Sequence, residues 1–165
     1  MRKSLFLILG LVVIVVLLPL LTIMYMRRAN TTPTYNQAIA LLQRSGDAVI
    51  RSDPLTHTST SIANLAFSCI SLLEGSTQLQ TVDPTRSQSF QTYGLSIANY
   101  LVTNDNLSPD GTIGWGLSNP FDAFSDGTVN PANTVYAFED AMVGYCLLDA
   151  YTLTKNALYL KTVES

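Results

Sequence analysis

The stretch TVYAFEDAMVGYCLLDAYTL, residues 134–153, decides how the chain is read. On a helical wheel Glu139 shares a face with Val135, Met142, Val143, Cys146 and Ala150, and Asp140 falls beside Tyr136, Leu147 and Tyr151. A helix that is apolar on nearly all sides is normally buried, so at least one of the two carboxylates belongs in or beside a protein interior. A buried carboxylate must be paired, bonded or neutral, because desolvating a lone charge is expensive. Two readings stay open. Either it caps a loop or a helix end through backbone N–H groups, or burial raises its pKa and suits it to general-acid work.

Working outward, helical periodicity dominates. Thr34 and Gln37 form a capping box, and Tyr35, Ala38, Ile39, Leu42, Gly46 and Val49 recur at helical spacing over about 35–51. The Ser/Thr cluster at 58–61 starts a second helix with Ile62, Leu65, Ala66, Cys69, Ile70 and Leu73 on one stripe, and Gly75 is expected to stop it. Asp83-Pro84 supplies an N-cap and a first-turn proline for a third, lined by Phe90, Tyr93, Ile97, Ala98 and Leu101. A fourth helix is expected from about Ala132 to Leu153 and a short one from Asn156 onward. No strand pattern of any strength is present, and the fold class is all-α.

Residues 104–131 lack periodicity and form a loop long enough to be functional. Trp115 sits between Gly114 and Gly116, with Phe121 and Phe124 close by. Flat rings of this kind stack against sugars, or else plug the loop onto the helices. The Asp-Gly pairs at 110–111 and 126–127 are turn signals. As a calcium loop, the run from Asp122 lacks an oxygen ligand at its third position and a Glu at its twelfth, so no metal or other cofactor is implied.

The amino terminus differs from the rest. Leu5 to Met26 is 22 residues without a charge, flanked by Arg2 and Lys3 before and Arg27 and Arg28 after. That is enough to cross about 30 Å of hydrocarbon. A cleaved signal peptide would have a shorter apolar core and small residues at its cleavage site, which Met24-Tyr25-Met26 does not offer. The expected organisation is a transmembrane signal-anchor over 1–28 in contact with membrane lipid through 5–26, a linker over 29–34, and a helical domain over 35–165. The positive charges before the run favour a cytoplasmic amino terminus and an extracytoplasmic domain.

Of 165 residues, 47% are hydrophobic and only 13% charged, and the net charge is −3, which excludes both a disordered tail and an electrostatic nucleic-acid binder. Beyond Arg28 the chain holds five basic residues against twelve acidic ones, a net −7, with no Lys or Arg between Arg86 and Lys155. A solvated acidic surface or a carboxylate-lined cleft would both read this way. The single His57 excludes multi-histidine metal centres. Cys69 and Cys146 each lie on an apolar helix stripe, where buried thiols are the default and a helix–helix disulfide is the alternative for an external domain.

The Trp-containing Gly/Asp-rich loop, the helix at 134–151 and the closing Thr154-Lys155-Asn156-Ala157-Leu158-Tyr159-Leu160 together resemble the helix-hairpin repeat of the six-hairpin glycosidase-like (α/α) toroid superfamily, over roughly residues 35–165. Lys155-Asn156 stands where that family usually has Gly-Asp. The resemblance implies antiparallel helix hairpins forming part of a toroid, and a missing C-terminal half or partner chain, since five helices would make less than half of a closed ring. It implies a neutral glycan as substrate or ligand, because a domain so poor in cations is a weak host for an anionic polysaccharide. The candidate catalytic residues are Glu139 and Asp140 as acid, with Asp122 and Asp126 as partners across a distance of about 5–10 Å. Asp110, Trp115 and Tyr136 are the candidate substrate-binding residues. The alternative is a membrane-anchored helical protein that docks partners without chemistry.

Overall fold

The computed structural model describes residues 34–57, 61–104, 106–107, 113–117, 119–122 and 124–164. The anchor expected over 1–28, most of the linker and Asp110 lie outside these residues. No described helix is long and apolar enough to cross a membrane. The chain divides into two units between Ala38 and Ile39. Among the described residues the first unit holds only Thr34 and the start of helix α1 (Tyr35–Ser52). The capping box forms there: the Gln37 N–H donates to Thr34 Oγ1 at 3.4 Å and the Thr34 N–H to Gln37 Oε1 at 2.9 Å.

The second unit is all-α. After the body of α1 come α2 (Ile62–Leu79), α3 (Pro84–Thr103), α4 (Ala137–Thr154) and α5 (Ala157–Val163). The strands β1 (Asn106–Leu107) and β2 (Ile113–Gly114) form a two-residue antiparallel ladder that no alternation in the sequence announced. Ser61 caps α2 by accepting the Asn64 N–H at 3.2 Å, and Asp83 caps α3 by accepting the Arg86 N–H at 3.1 Å, with Pro84 in the first turn as expected. Gly75 does not stop α2, which continues to Leu79. A Cβ at position 75 would stand 3.2 Å from Leu42 Cδ1 and 3.3 Å from Phe90 Cδ2, so this glycine serves close packing of α1 and α3 on α2. Helix α4 starts at Ala137 rather than near Ala132, because Val135 bridges to Gly116 and Tyr136 keeps an extended backbone. It ends at Thr154, before Lys155, whose φ of 59° is left-handed, the conformation for which glycine is favoured.

Leu65, Leu72, Leu73 and Leu79 of α2, Phe90, Ile97 and Leu101 of α3, and Val143 and Leu147 of α4 make the core. Arg86 fastens α1 to the start of α3: its Nε donates to both Asp47 carboxylate oxygens at 3.1 Å and its Nη1 to Asp83 Oδ2 at 2.6 Å. Tyr159 of α5 donates to Asn99 Oδ1 on α3 at 2.8 Å. Cys69 and Cys146 are both fully buried and are joined as a disulfide with Cα atoms 5.7 Å apart, in place of the free thiols expected by default. The apolar stripes that carry them face each other, which brings the two sulfurs together. Further along the same seam, Leu73 and Thr77 meet Asp149 and Leu153, so α2 and α4 run in the same direction.

The bridge spans 77 residues of sequence and so restricts a large part of the unfolded chain. Replacing both Cys69 and Cys146 by Ala is expected to lower the unfolding free energy by about 2–4 kcal/mol. Urea unfolding with and without reductant checks this, since reductant should lower the stability of the parent and leave the double variant unchanged.

Candidate functional site

The loop between α3 and α4 is held by the residues that the sequence marked for chemistry. The Trp115 indole N–H donates to the Leu101 carbonyl at 2.8 Å, and its backbone N–H donates to Asp140 Oδ1 at 3.0 Å. Trp115 is only 6% exposed, so its ring belongs to the core and plugs the loop onto the helices. The flanking glycines are there for space. A Cβ at Gly114 would lie 2.8 Å from Val135 Cγ2 and 3.1 Å from Asp140 Oδ2, and one at Gly116 would lie 2.5 Å from the Asn133 backbone. Of the two readings of the α4 carboxylates, Asp140 takes the first: it caps the loop through a backbone N–H.

Asp122 and Asp126 are brought together in one turn. Asp122 Oδ1 accepts the N–H groups of Phe124 at 3.2 Å and Asp126 at 3.3 Å, and its Oδ2 accepts that of Gly127 at 2.9 Å. Asp126 Oδ1 accepts the Thr128 N–H at 2.8 Å. These backbone donors, Gly127 foremost for Asp122 and Thr128 for Asp126, hold both carboxyls below their usual range. Tyr136 is half-buried, accepts from Asn130 Nδ2 at 3.0 Å and meets the Phe121 ring edge-on at 6.4 Å between centroids. Glu139 is half-buried near the start of α4, and no hydrogen bond links it to Asp122 or Asp126 among the described residues.

A second carboxylate cluster, which sequence reasoning missed, lies on the α2–α4 seam. The Tyr145 hydroxyl donates to Glu74 Oε1 at 3.1 Å. One turn on, Asp149 borders a cavity of about 80 Å³ lined by Leu73, Glu74, Thr77, Thr152 and Leu153. Its Oδ2 is buried and takes no hydrogen bond from the described residues. Burial, helped by the negative charge of Glu74, raises the Asp149 carboxyl above its usual value. Glu74 also lines an open groove of about 570 Å³ with Leu42, Ser45, Ser71 and Gln78. The signal available in the sequence was Asp149 itself, a carboxylate between Leu148 and Ala150 on a helix apolar all round. Elsewhere Tyr93 donates to Asp53 at the end of α1, and burial with this carboxylate pushes the phenol up to about 12. Among the described residues no three His, Cys, Asp or Glu side chains converge as a metal site.

No protein family, curated protein or solved structure matches the chain.

Two outcomes follow from this geometry. Asp140→Ala leaves the Trp115 N–H without its acceptor and is expected to lower stability by about 1–3 kcal/mol. The emission of the single tryptophan should shift to the red and become open to quenchers, and an unchanged spectrum would refute the role given to Asp140. For Asp149, a folded-state pKa above the unfolded value means that the folded protein holds this proton up to a higher pH than the unfolded chain does. Stability from this group is therefore greatest in acid and falls as pH rises through the raised pKa. Asp149→Asn should melt a few degrees above the parent at neutral pH, roughly 2–5 °C. That gap should close below about pH 4. Thermal unfolding of both proteins from pH 3.5 to 8 reads it, and a gap independent of pH would sink the assignment.

Proposed function

We propose that this chain is a single-pass membrane protein, anchored through residues 5–26, whose all-α domain stands on the extracytoplasmic side and acts by docking a partner rather than by chemistry. The observation that carries this reading is the buried Cys69–Cys146 disulfide, since such bonds form and persist in oxidising compartments. The charge distribution around the uncharged run supports the same orientation. Docking is supported over glycan hydrolysis by the loop. Asp122 and Asp126 have carboxylate oxygens occupied by backbone donors that lower their pKa and so weaken them as the basic partner of an acid, Asp140 is committed to the Trp115 N–H, and Trp115 presents no open face to a sugar.

One observation favours the second reading, a neutral-glycan-active fragment of an (α/α) toroid. Asp149, with its raised pKa, shares a cavity with Glu74, which is the kind of acid and base pairing that glycoside hydrolysis uses. The alternating direction of α2, α3 and α4, with Ser87 of α3 against Ser76 of α2 and Gly94 against Leu73, supports it too, since successive helix hairpins alternate. On this reading the residues to test are Glu74 and Asp149, not the loop carboxylates.

Protease accessibility in intact cells, combined with turnover assays on a panel of neutral polysaccharides, separates these readings. The expected result is a domain digested from outside only, with no turnover by the full chain. A turnover that disappears in Asp149→Asn and Glu74→Gln, with the fold unchanged, would establish the glycan reading instead.

A further inference from the structure

The α2–α4 seam has an outer face that nothing in the described chain covers. Phe138, Tyr145 and Leu148 follow one another on one stripe of α4 and are 56%, 51% and 41% exposed. On α2, Phe67 is 48% exposed and its ring lies 6.1 Å from that of Phe138. Ser71 and Glu74 continue the α2 row, both exposed. Among the described residues Glu74 is the one exposed formal charge of the face, already engaged by the Tyr145 hydroxyl, and Asp149 lies half-buried behind it with its Oδ2 out of reach of solvent.

We propose that this face is covered by the same face of a second copy, giving a two-fold symmetric dimer of the membrane-anchored chain. The proposal rests on the docking reading above and names its partner. Charge selects the occupant. Phospholipid headgroups call for Lys or Arg at the contact, but α2 carries none and none lies between Arg86 and Lys155. A strongly cationic partner would be drawn to the carboxylates elsewhere on a domain of net −7 rather than to a face with one engaged charge. Two such domains meet with least repulsion across a surface that exposes almost no charge, and a second copy brings that surface with it.

The area fits. A large side chain that is half exposed leaves roughly 100 Å² open, so the four give about 400 Å² per copy as an apolar centre. A standard interface buries about 800 Å² per partner, the rest being polar rim, for which Ser71 is placed. Anchoring adds effective concentration, because two chains held in one bilayer meet far more often than free domains would.

The test is chemical crosslinking and mass determination of the full chain in lipid nanodiscs and in detergent, for the parent, Leu148→Glu, Ser71→Glu and Phe124→Glu. Ser71→Glu adds a charge to the face at an exposed polar position that the core does not use, so it guards against a folding defect in Leu148→Glu. Phe124→Glu is the control, 81% exposed and carried by the α3–α4 loop rather than by α2 or α4. The dimer is expected in the parent and the control and should fall at least about tenfold in both face variants, with the disulfide intact on non-reducing gels. A monomer at every concentration, from chain that still resists alkaline extraction of the membrane, would overturn the dimer and leave the docking reading standing. So would a different protein bound to the face and lost in the same variants. Chain released by alkaline extraction would instead overturn the anchoring on which both rest.

Discussion

The Phe90 ring sits where three helices meet, and the meeting depends on two absent side chains. On α1, a Cβ at Gly46 would overlap the ring, and on α2, one at Gly75 would press on it from 3.3 Å. With both positions glycine, α1 and α2 close over a fully buried aromatic of α3, and each gains dispersion contacts that a larger residue would prevent. The polar ties take their positions from this arrangement. Asp47 lies one residue beyond Gly46 and so reaches Arg86, four residues before Phe90. Ser87, one turn before Phe90, donates to the Ser76 carbonyl at 2.7 Å beside Gly75.

How much of this was legible in the sequence differs by the kind of signal. Capping residues and apolar stripes are local, and Thr34, Ser61, Asp83 and Asn156 sit where the helices start. Three of the departures are non-local. Gly75 reads as a stop in isolation, and only the approach of Leu42 and Phe90 gives it another purpose. Residues 132–136 carry no helix breaker after Pro131, yet a turn at Ala132 and Asn133 and the pairing of Val135 with Gly116 keep them out of the helix. The union of Cys69 with Cys146 needs α2 and α4 side by side, which no spacing along the chain expresses.

The same limit governs the carboxylates. Residue type singled out Asp122, Asp126 and Asp140 because aspartates in a glycine-rich loop and on an apolar helix are what active sites use. Their hydrogen bonds give all three an architectural role. Asp122 and Asp126 gather the backbone of one turn, and Asp140 holds the strand end that carries Trp115. A carboxylate that accepts several N–H groups is stabilised as the anion, whereas one facing an apolar wall and a like charge is stabilised as the acid. Asp122 and Asp149 are chemically identical groups on opposite sides of that divide. A helical wheel places a residue on a face of its own helix, but not the donors or charges that come from another.

The Cys69–Cys146 bond encloses α3 and the whole aperiodic loop in one covalent ring. An exposed turn such as the one around Ser125, Asp126 and Gly127 is where an endoprotease would first find purchase. A cut there opens the ring without parting the molecule, because the segment carrying α4 and α5 stays joined to α2 through sulfur. Cleavage and release are thus separate events for this domain, and the fragment beyond the cut leaves only when the bond is reduced.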